Sequence, residues 1–429
     1  MRANLLAIFF RLPGMVLQAP ETIKKGGIVI RKTIRILCLV GAACMAVSLG
    51  GVAVLSAALP QQYRVPYGTV LQLPYGVSVS SPALSASADG AAYRAELRWL
   101  GLFPIKNASV RVVDTVTVIP CGTPFGIKLY TEGVLVVGLS DVDTPGGRHN
   151  PARAAGLKTG DVILSVFGTS LSSMQQLSAA VESSEGRTVT LRVRRDGIEF
   201  DVRFAPAFSV SEKCYKAGIW VRDSSAGIGT MTFYDLQTMR FAGLGHAVCD
   251  TDTGQILPIS SGEAVPARIY EVIPGRSGVP GELRGGFEAG VIGPLTVNGP
   301  TGLYGLLEKK PAYAAPVPVA MRQQVHTGAA VMLTTVEGTT PKSYDIEIEK
   351  LRYADGEGRH MVIRVTDPDL LAAAGGIVQG MSGSPIIQDG RLIGAVTHVF
   401  VNDPQRGYAI FAETMLDTLQ EMPDLKAAA

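Results

Sequence analysis

Charge is scarce in this 429-residue chain, where Asp, Glu, Lys and Arg together make up 18%. Aromatic residues reach only 7% and histidine occurs five times. There are five cysteines, and Cys38 and Cys44 fall in an apolar run. Cys121, Cys214 and Cys249 remain, which allows at most one bridge and excludes a disulfide framework. The formal net charge is +2, but residues 1–35 hold seven basic residues against one acid. Subtracting these, the rest of the chain carries 32 basic and 36 acidic groups, a net of −4. A mildly acidic body without basic stripes argues against nucleic acid as a partner. No HExxH, paired CxxC or GxxxxGK[ST] run occurs. His246, Cys249 and Cys214 offer three zinc ligands with no fourth, short of a structural site. Neither a metal nor a cofactor is expected.

Turn-formers are plentiful, with 49 Gly and 26 Pro. Such a composition points to β-rich domains. The one long apolar run is Ile36 to Leu59, without a charge. As a helix it extends about 36 Å, enough for a hydrocarbon core of about 30 Å. Basic residues precede it, so residues 1–35 are expected as a cytoplasmic tail and residues 36–59 as a single anchor. Everything beyond Pro60 then lies outside the cytoplasm. The competing reading is a cleaved signal peptide, whose apolar region would be about 7–15 residues. Leu5 to Phe10 is too short to span.

Residues 60–109, rich in Ser, Ala, Pro and Tyr, read as a spacer with a few strands rather than a core. From Val110 the apolar residues Val110, Val112, Val116 and Val118 suit strand faces. Pro124-Phe125-Gly126-Ile127 leads into Val134–Val137. The run Ala154-Ala155-Gly156-Leu157-Lys158-Thr159-Gly160-Asp161-Val162-Ile163 opens another strand, Met174 to Val181 has helical spacing, and Thr188–Val193 closes the segment. This order resembles a PDZ domain over residues 110–205. By that resemblance Phe125, Gly126 and Ile127 match the carboxylate-binding loop, and Met174 opens the groove helix. Such a groove takes a peptide, or the chain itself, as an added strand. Met174 suits an apolar ligand. A degenerate PDZ domain that only packs is the alternative.

Residues 206–429 carry the chemistry. Gly380-Met381-Ser382-Gly383-Ser384-Pro385 places a serine between glycines that let the backbone turn sharply. Such a turn aims the N–H groups of Gly380 and Ser382 at one point, an oxyanion hole. Ile386-Ile387, the Asp389-Gly390 turn and Leu392 to Val396 form a supporting hairpin. Ser382 is the expected nucleophile and Ser384 the rival. A serine needs a base. His246, among small residues in Gly243-Leu244-Gly245-His246-Ala247-Val248-Cys249-Asp250, is the expected base, with His398 the alternate. His149, His326 and His360 read as surface or loop positions. Asp367, at the end of a strand, is the expected third member, with Asp369 its rival. The order His246, Asp367, Ser382 and the Gly-x-Ser-Gly-x-Pro hairpin are similar to chymotrypsin-like peptidases. A mainly β chain with two packed barrels is therefore expected.

A narrower resemblance covers residues 30–420. Gly245-His246, Val378 to Ile387 and Gly394 to Pro404 are similar to the stage IV sporulation protein B peptidases, peptidase family S55. That resemblance implies a catalytic triad on His246, Asp367 and Ser382, and a signalling peptidase of endospore formers. It implies secretion from the forespore into the intermembrane space. There the family cleaves itself and a regulatory membrane protein, which releases an intramembrane metallopeptidase that processes a sigma factor. Cys249 departs from the pattern. The alternatives are a general quality-control protease and a non-catalytic PDZ scaffold.

Overall fold

A computed structural model describes residues 21–80, 91–310, 315–353 and 358–423. The chain enters as a helix, Glu21–Ala58, whose stretch Arg35–Ala58 is long and apolar enough to cross a membrane. A four-stranded sheet follows, ordered Gln62–Pro66, Phe103–Val113, Ala92–Trp99, Val77–Ser80. The described residues of 60–109 therefore form a sheet with a core of its own, more than a spacer with a few strands. Its core gathers Leu59, Tyr63, Val65, Leu97, Ala108, Val110 and Val112. The apolar residues alternate along each short strand and so share one buried face. Val110 and Val112, expected to begin the PDZ domain, belong to this sheet. An Arg64–Asp417 ion pair ties the sheet to the C-terminal helix Ala412–Glu421.

Beyond it stand two six-stranded units. In the second, strands Gly328–Thr334, Lys342–Leu351, Met361–Val365, Asp403–Phe411, Arg391–Phe400 and Pro385–Gln388 close a barrel. In the first, the start of Pro124–Leu139 pairs with Ile259–Ile273 and with Ile219–Tyr234. Gly293–Gly299, Gly302–Leu306 and Arg240–Gly243 complete the ring. Phe125, Leu129, Tyr234, Phe241 and Leu303 fill its interior. Phe233, Ala242 and Tyr304 of the first unit, Leu392, Ala395 and Ile410 of the second, and Met415, Leu416 and Leu419 of the C-terminal helix form one shared core. The mainly β, double-barrel architecture holds.

The PDZ-like unit is inserted into the first barrel. Strands Pro124–Leu139 and Ile219–Tyr234 pair along most of their length. Their inner halves belong to the barrel. At their other halves Val134 and Leu135 pair with Val162–Val166. That strand pairs with Val189–Arg195, and the latter with Ile198–Phe204. Gly133 marks the change of partner: φ is +71°, and a Cβ there would lie 2.3 Å from the Ile163 carbonyl oxygen. The expected bounds 110 and 205 of the PDZ domain do not hold: residues 119–131 pair within the barrel sheet, and Ile219 to Arg222 pair with the PDZ-side residues Leu135 to Leu139. An unbroken strand conceals such a change of partner in the sequence.

Candidate active site

The nucleophile loop is built by backbone bonds. Gly380 and Gly383 have φ of +97° and +96°, which disfavours any side chain there. A Cβ on Gly383 would also fall 2.0 Å from the Thr230 carbonyl oxygen. Thr230 N–H donates to the Ser382 carbonyl at 3.1 Å, and its hydroxyl donates to the Gly380 carbonyl at 2.8 Å. The Thr232 hydroxyl holds the Gly383 carbonyl at 2.7 Å. The first barrel thus grips a loop that belongs to the second. Ser384 is fully buried and donates to Thr334 Oγ1 at 2.9 Å, which makes it a structural hydroxyl. Ser382 is half-buried, and its Oγ donates to the Thr397 carbonyl at 2.7 Å. Among the described residues the N–H groups of Gly380 and Ser382 donate to no backbone carbonyl.

His246 follows the strand Arg240–Gly243 through a left-handed turn, Leu244 at φ +66° and Gly245 at +70°. A Cβ on Gly245 would stand 3.0 Å from Thr397 Cγ2, so the histidine loop packs on the strand beside the nucleophile. The His246 Nδ1 lies 2.8 Å from the Ala247 carbonyl. With Nδ1 protonated and donating there, Nε2 keeps its lone pair. Burial holds the His246 pKa below its ordinary 6.5, only partly opposed by the Ala247 bond. The His398 ring sits 4.9 Å from the His246 ring, tilted by 36°. Burial, then His246 and Arg359, pushes His398 down to about 4. Both rings are therefore neutral at pH 7.

Asp367 is not brought to this pair. It caps the helix Pro368–Ala374, where its carboxylate accepts the N–H groups of Asp369 and Leu370 at 3.0 Å and of Asp345 at 3.2 Å. Among the described residues no carboxylate is hydrogen-bonded to His246. Asp-Pro before an apolar segment is a helix-start signal, and Asp367 takes that capping role here. Asp369 lies in the first turn of the same helix. The fully buried Asp250 is engaged by Arg222. His360, expected at the surface, is buried and stacks on Phe411, centroids 5.0 Å apart. His326 pairs with Asp389 at 2.8 Å in solvent. All five cysteines are free thiols.

A groove runs along the helix Met174–Ser183, and only one of its walls is the one expected from the sequence. A cavity of about 670 Å³ is lined by Met174, Leu177 and Val181 on one side and Gly218, Ile219 and Trp220 on the other. Met174 stands where expected, at the start of the helix Met174–Ser183, with its N–H bonded to Asp223 at 2.9 Å. Phe125, Gly126 and Ile127 are instead mid-strand in the first barrel, paired with Gly229, Ile228 and Gly227. Phe125 is fully buried there and cannot form a ligand loop. Ala217-Gly218-Ile219-Trp220 borders the groove instead. Gly218 has φ +76°, and a Cβ there would lie 2.6 Å from the Ser140 carbonyl oxygen. The run has the same Gly-apolar wording as Phe125-Gly126-Ile127. It comes after the unit's closing strand rather than before, a circular permutation that residue order alone disguises.

Residues 213–416 match the family model described as SpoIVB peptidase S55, and residues 142–195 match that of a PDZ domain. No curated protein matches. Two solved structures are similar in part. The PDZ domain of an SdrC-like protein from Listeria monocytogenes is 20% identical over 21% of this chain and 87% of that one, with a TM-score of 0.18. The inactive form of a serine-to-alanine mutant of Rv3671c from M. tuberculosis is 14% identical over 46% of this chain and 84% of that one, with a TM-score of 0.25.

Proposed function

We propose that this chain, a SpoIVB-like S55 serine peptidase carrying a PDZ domain, is a membrane-anchored endopeptidase. In this reading it processes itself and cuts one regulatory membrane protein in a sporulation signalling cascade. The observation that carries the catalytic part is the convergence of the Ser382 loop and the His246 turn on the strand Arg391–Phe400, between the barrels. His246 Nε2 takes the Ser382 proton as Oγ attacks the scissile carbonyl. The N–H groups of Gly380 and Ser382 receive the developing oxyanion. The Ala247 carbonyl, and not a carboxylate, orients the imidazole. The resulting imidazolium then protonates the leaving amine, and a water repeats the cycle on the acyl-enzyme.

The Ser382 hydroxyl must first leave the Thr397 carbonyl, so the site as described is a resting one. The PDZ groove supplies a second hold on a protein substrate or on the chain's own segment. The basic residues before the apolar helix support a cytoplasmic N-terminus with the barrels outside the cytoplasm. In sporulating cells this corresponds to the space between forespore and mother-cell membranes.

Full-length protein in proteoliposomes tests this reading by intact mass over time. Wild type should shorten at defined positions while Ser382→Ala stays whole, and unfolded casein should be cut poorly. Rapid, unselective casein digestion would favour a quality-control protease. Persistence of both forms intact, with no cut in any membrane partner, would favour a scaffold.

A further inference from the structure

The strands Ala92–Trp99 and Phe103–Val113 meet in a hairpin whose tip, Leu100-Gly101-Leu102, carries no charge. Leu100 and Leu102 are 61% and 74% exposed, and beside them Tyr75 is 58% exposed. These are odd residues for their places. Leu100 and Tyr75 have φ of +52° and +63°, conformations that turns usually fill with Asn, Asp or Gly. Large apolar side chains held out in a strained turn are unfavourable against water and favourable against hydrocarbon.

The tip also has a defined level. Residues 48, 51, 52, 55, 56 and 59 of the first helix and the residue after it are partly or fully covered, a single helical face. The sheet is what covers this face. A Cβ on Gly51 would lie 2.5 Å from the Trp99 ring, and the Lys106 ammonium donates to the Ser56 carbonyl at 2.8 Å and to that of Leu59. Gly51 lies sixteen residues past Arg35, about 24 Å along the helix and still within a hydrocarbon core of about 30 Å. The hairpin therefore runs about 10 Å down alongside the helix from its end at Ala58. The Trp99 and Phe103 rings, 6.2 Å apart, sit at the level where aromatic side chains favour the interface. Arg98, paired with Glu96 at 3.0 Å, and Lys106 form the first charges above.

We propose that this hairpin is a second membrane contact, with Trp99, Leu100, Leu102 and Phe103 inserted in the extracytoplasmic leaflet beside the anchor helix. The sheet is then locked to the bilayer and fixes the height of the barrels above it. This rests on the reading of the first helix as an uncleaved anchor. The chain has two tryptophans, so Trp220→Phe leaves Trp99 as the sole reporter. The full-length Trp220→Phe protein is placed in vesicles containing lipids brominated near the glycerol end of the acyl chain, and its retention after carbonate extraction is scored in parallel. Retention with at least about a twofold loss of Trp99 emission is expected. Adding Leu100→Asp and Leu102→Asp should remove most of that quenching while the chain stays membrane-bound. A retained chain whose Trp99 is unquenched overturns the hairpin insertion and leaves the anchor standing. Release of the chain by carbonate overturns both.

Discussion

The Ser382 hydroxyl donates to the Thr397 carbonyl at 2.7 Å, while the base it needs, His246, is turned toward its own neighbour Ala247. Among the described residues the proposed nucleophile and base share no hydrogen bond. Substrate entry has to supply the free energy that redirects one hydroxyl hydrogen bond. Loss of a neutral hydrogen bond costs about 1 kcal/mol, a small barrier that a bound peptide can offset. Slow turnover without substrate contacts is therefore expected.

Protonation of His246 should set the acid limb of kcat/KM. Burial disfavours the imidazolium, so the ring stays neutral, and competent, to a lower pH than an ordinary histidine of pKa 6.5. The limb should have its midpoint below 6.5. A midpoint near or above 7 would mean that a carboxylate supports the ring. His398 adds to the same sign in stability. Its folded pKa is depressed, so stability is full above the unfolded value and is lost as pH falls through the window between 6.5 and about 4. Unfolding in urea at pH 7 and pH 5 measures this, and His398→Gln should flatten the difference.

Asp367 offers a sharp choice. As a helix cap it is replaceable by Asn, which caps as well, whereas Ala should cost about 0.5–2 kcal/mol of stability. As a triad member its change to Asn would cost about 10⁴ in kcat. The geometry predicts Asp367→Asn activity within a few-fold of wild type and a lowered melting temperature for Asp367→Ala.

The groove assignments separate by substitution. Gly218→Val strains a left-handed residue and presses on the Ser140 carbonyl, so affinity for an apolar chain-end peptide should fall at least about tenfold. Gly126→Val should leave the groove's affinity intact but destabilise the first barrel, since a Cβ there would lie 2.6 Å from Phe287 and Val265. Fluorescence anisotropy with a labelled peptide, alongside thermal melts, distinguishes the two. Equal loss of affinity in both would return the ligand loop to Phe125-Gly126-Ile127.

One strand connects groove and chemistry. Ile219 and Trp220 border the groove, Arg222 grips the buried Asp250 behind the His246 turn, and Thr230 holds the Ser382 loop. Arg222→Met leaves Asp250 buried without its cation, an effect of about 1–3 kcal/mol given that Arg222 is partly exposed. Urea midpoints should drop accordingly, and any stimulation of cleavage by a groove peptide should shrink. Undiminished stimulation would separate the two sites.

The sequence was most legible where chemistry forces residue type. Glycines around Ser382, small residues around His246 and the apolar run before Leu59 each have a physical reason visible without coordinates. It was least legible where one strand serves two units. Nothing in Phe125-Gly126-Ile127-Lys128-Leu129 tells that its partners are Gly229 and Pro266, far along the chain. At Asp367 a helix cap and a catalytic acid read alike in sequence, which hides the capping role. The sheet within residues 62–113 was hidden because its strands are only four to eleven residues long.

The most direct test is active-site labelling of the full-length protein in proteoliposomes with a biotinylated fluorophosphonate, followed by peptide mass mapping. The adduct should fall on Ser382 alone, persist in Ser384→Ala and drop by at least about a hundredfold in His246→Ala. A label on Ser384, or labelling that survives Ser382→Ala, would contradict the account.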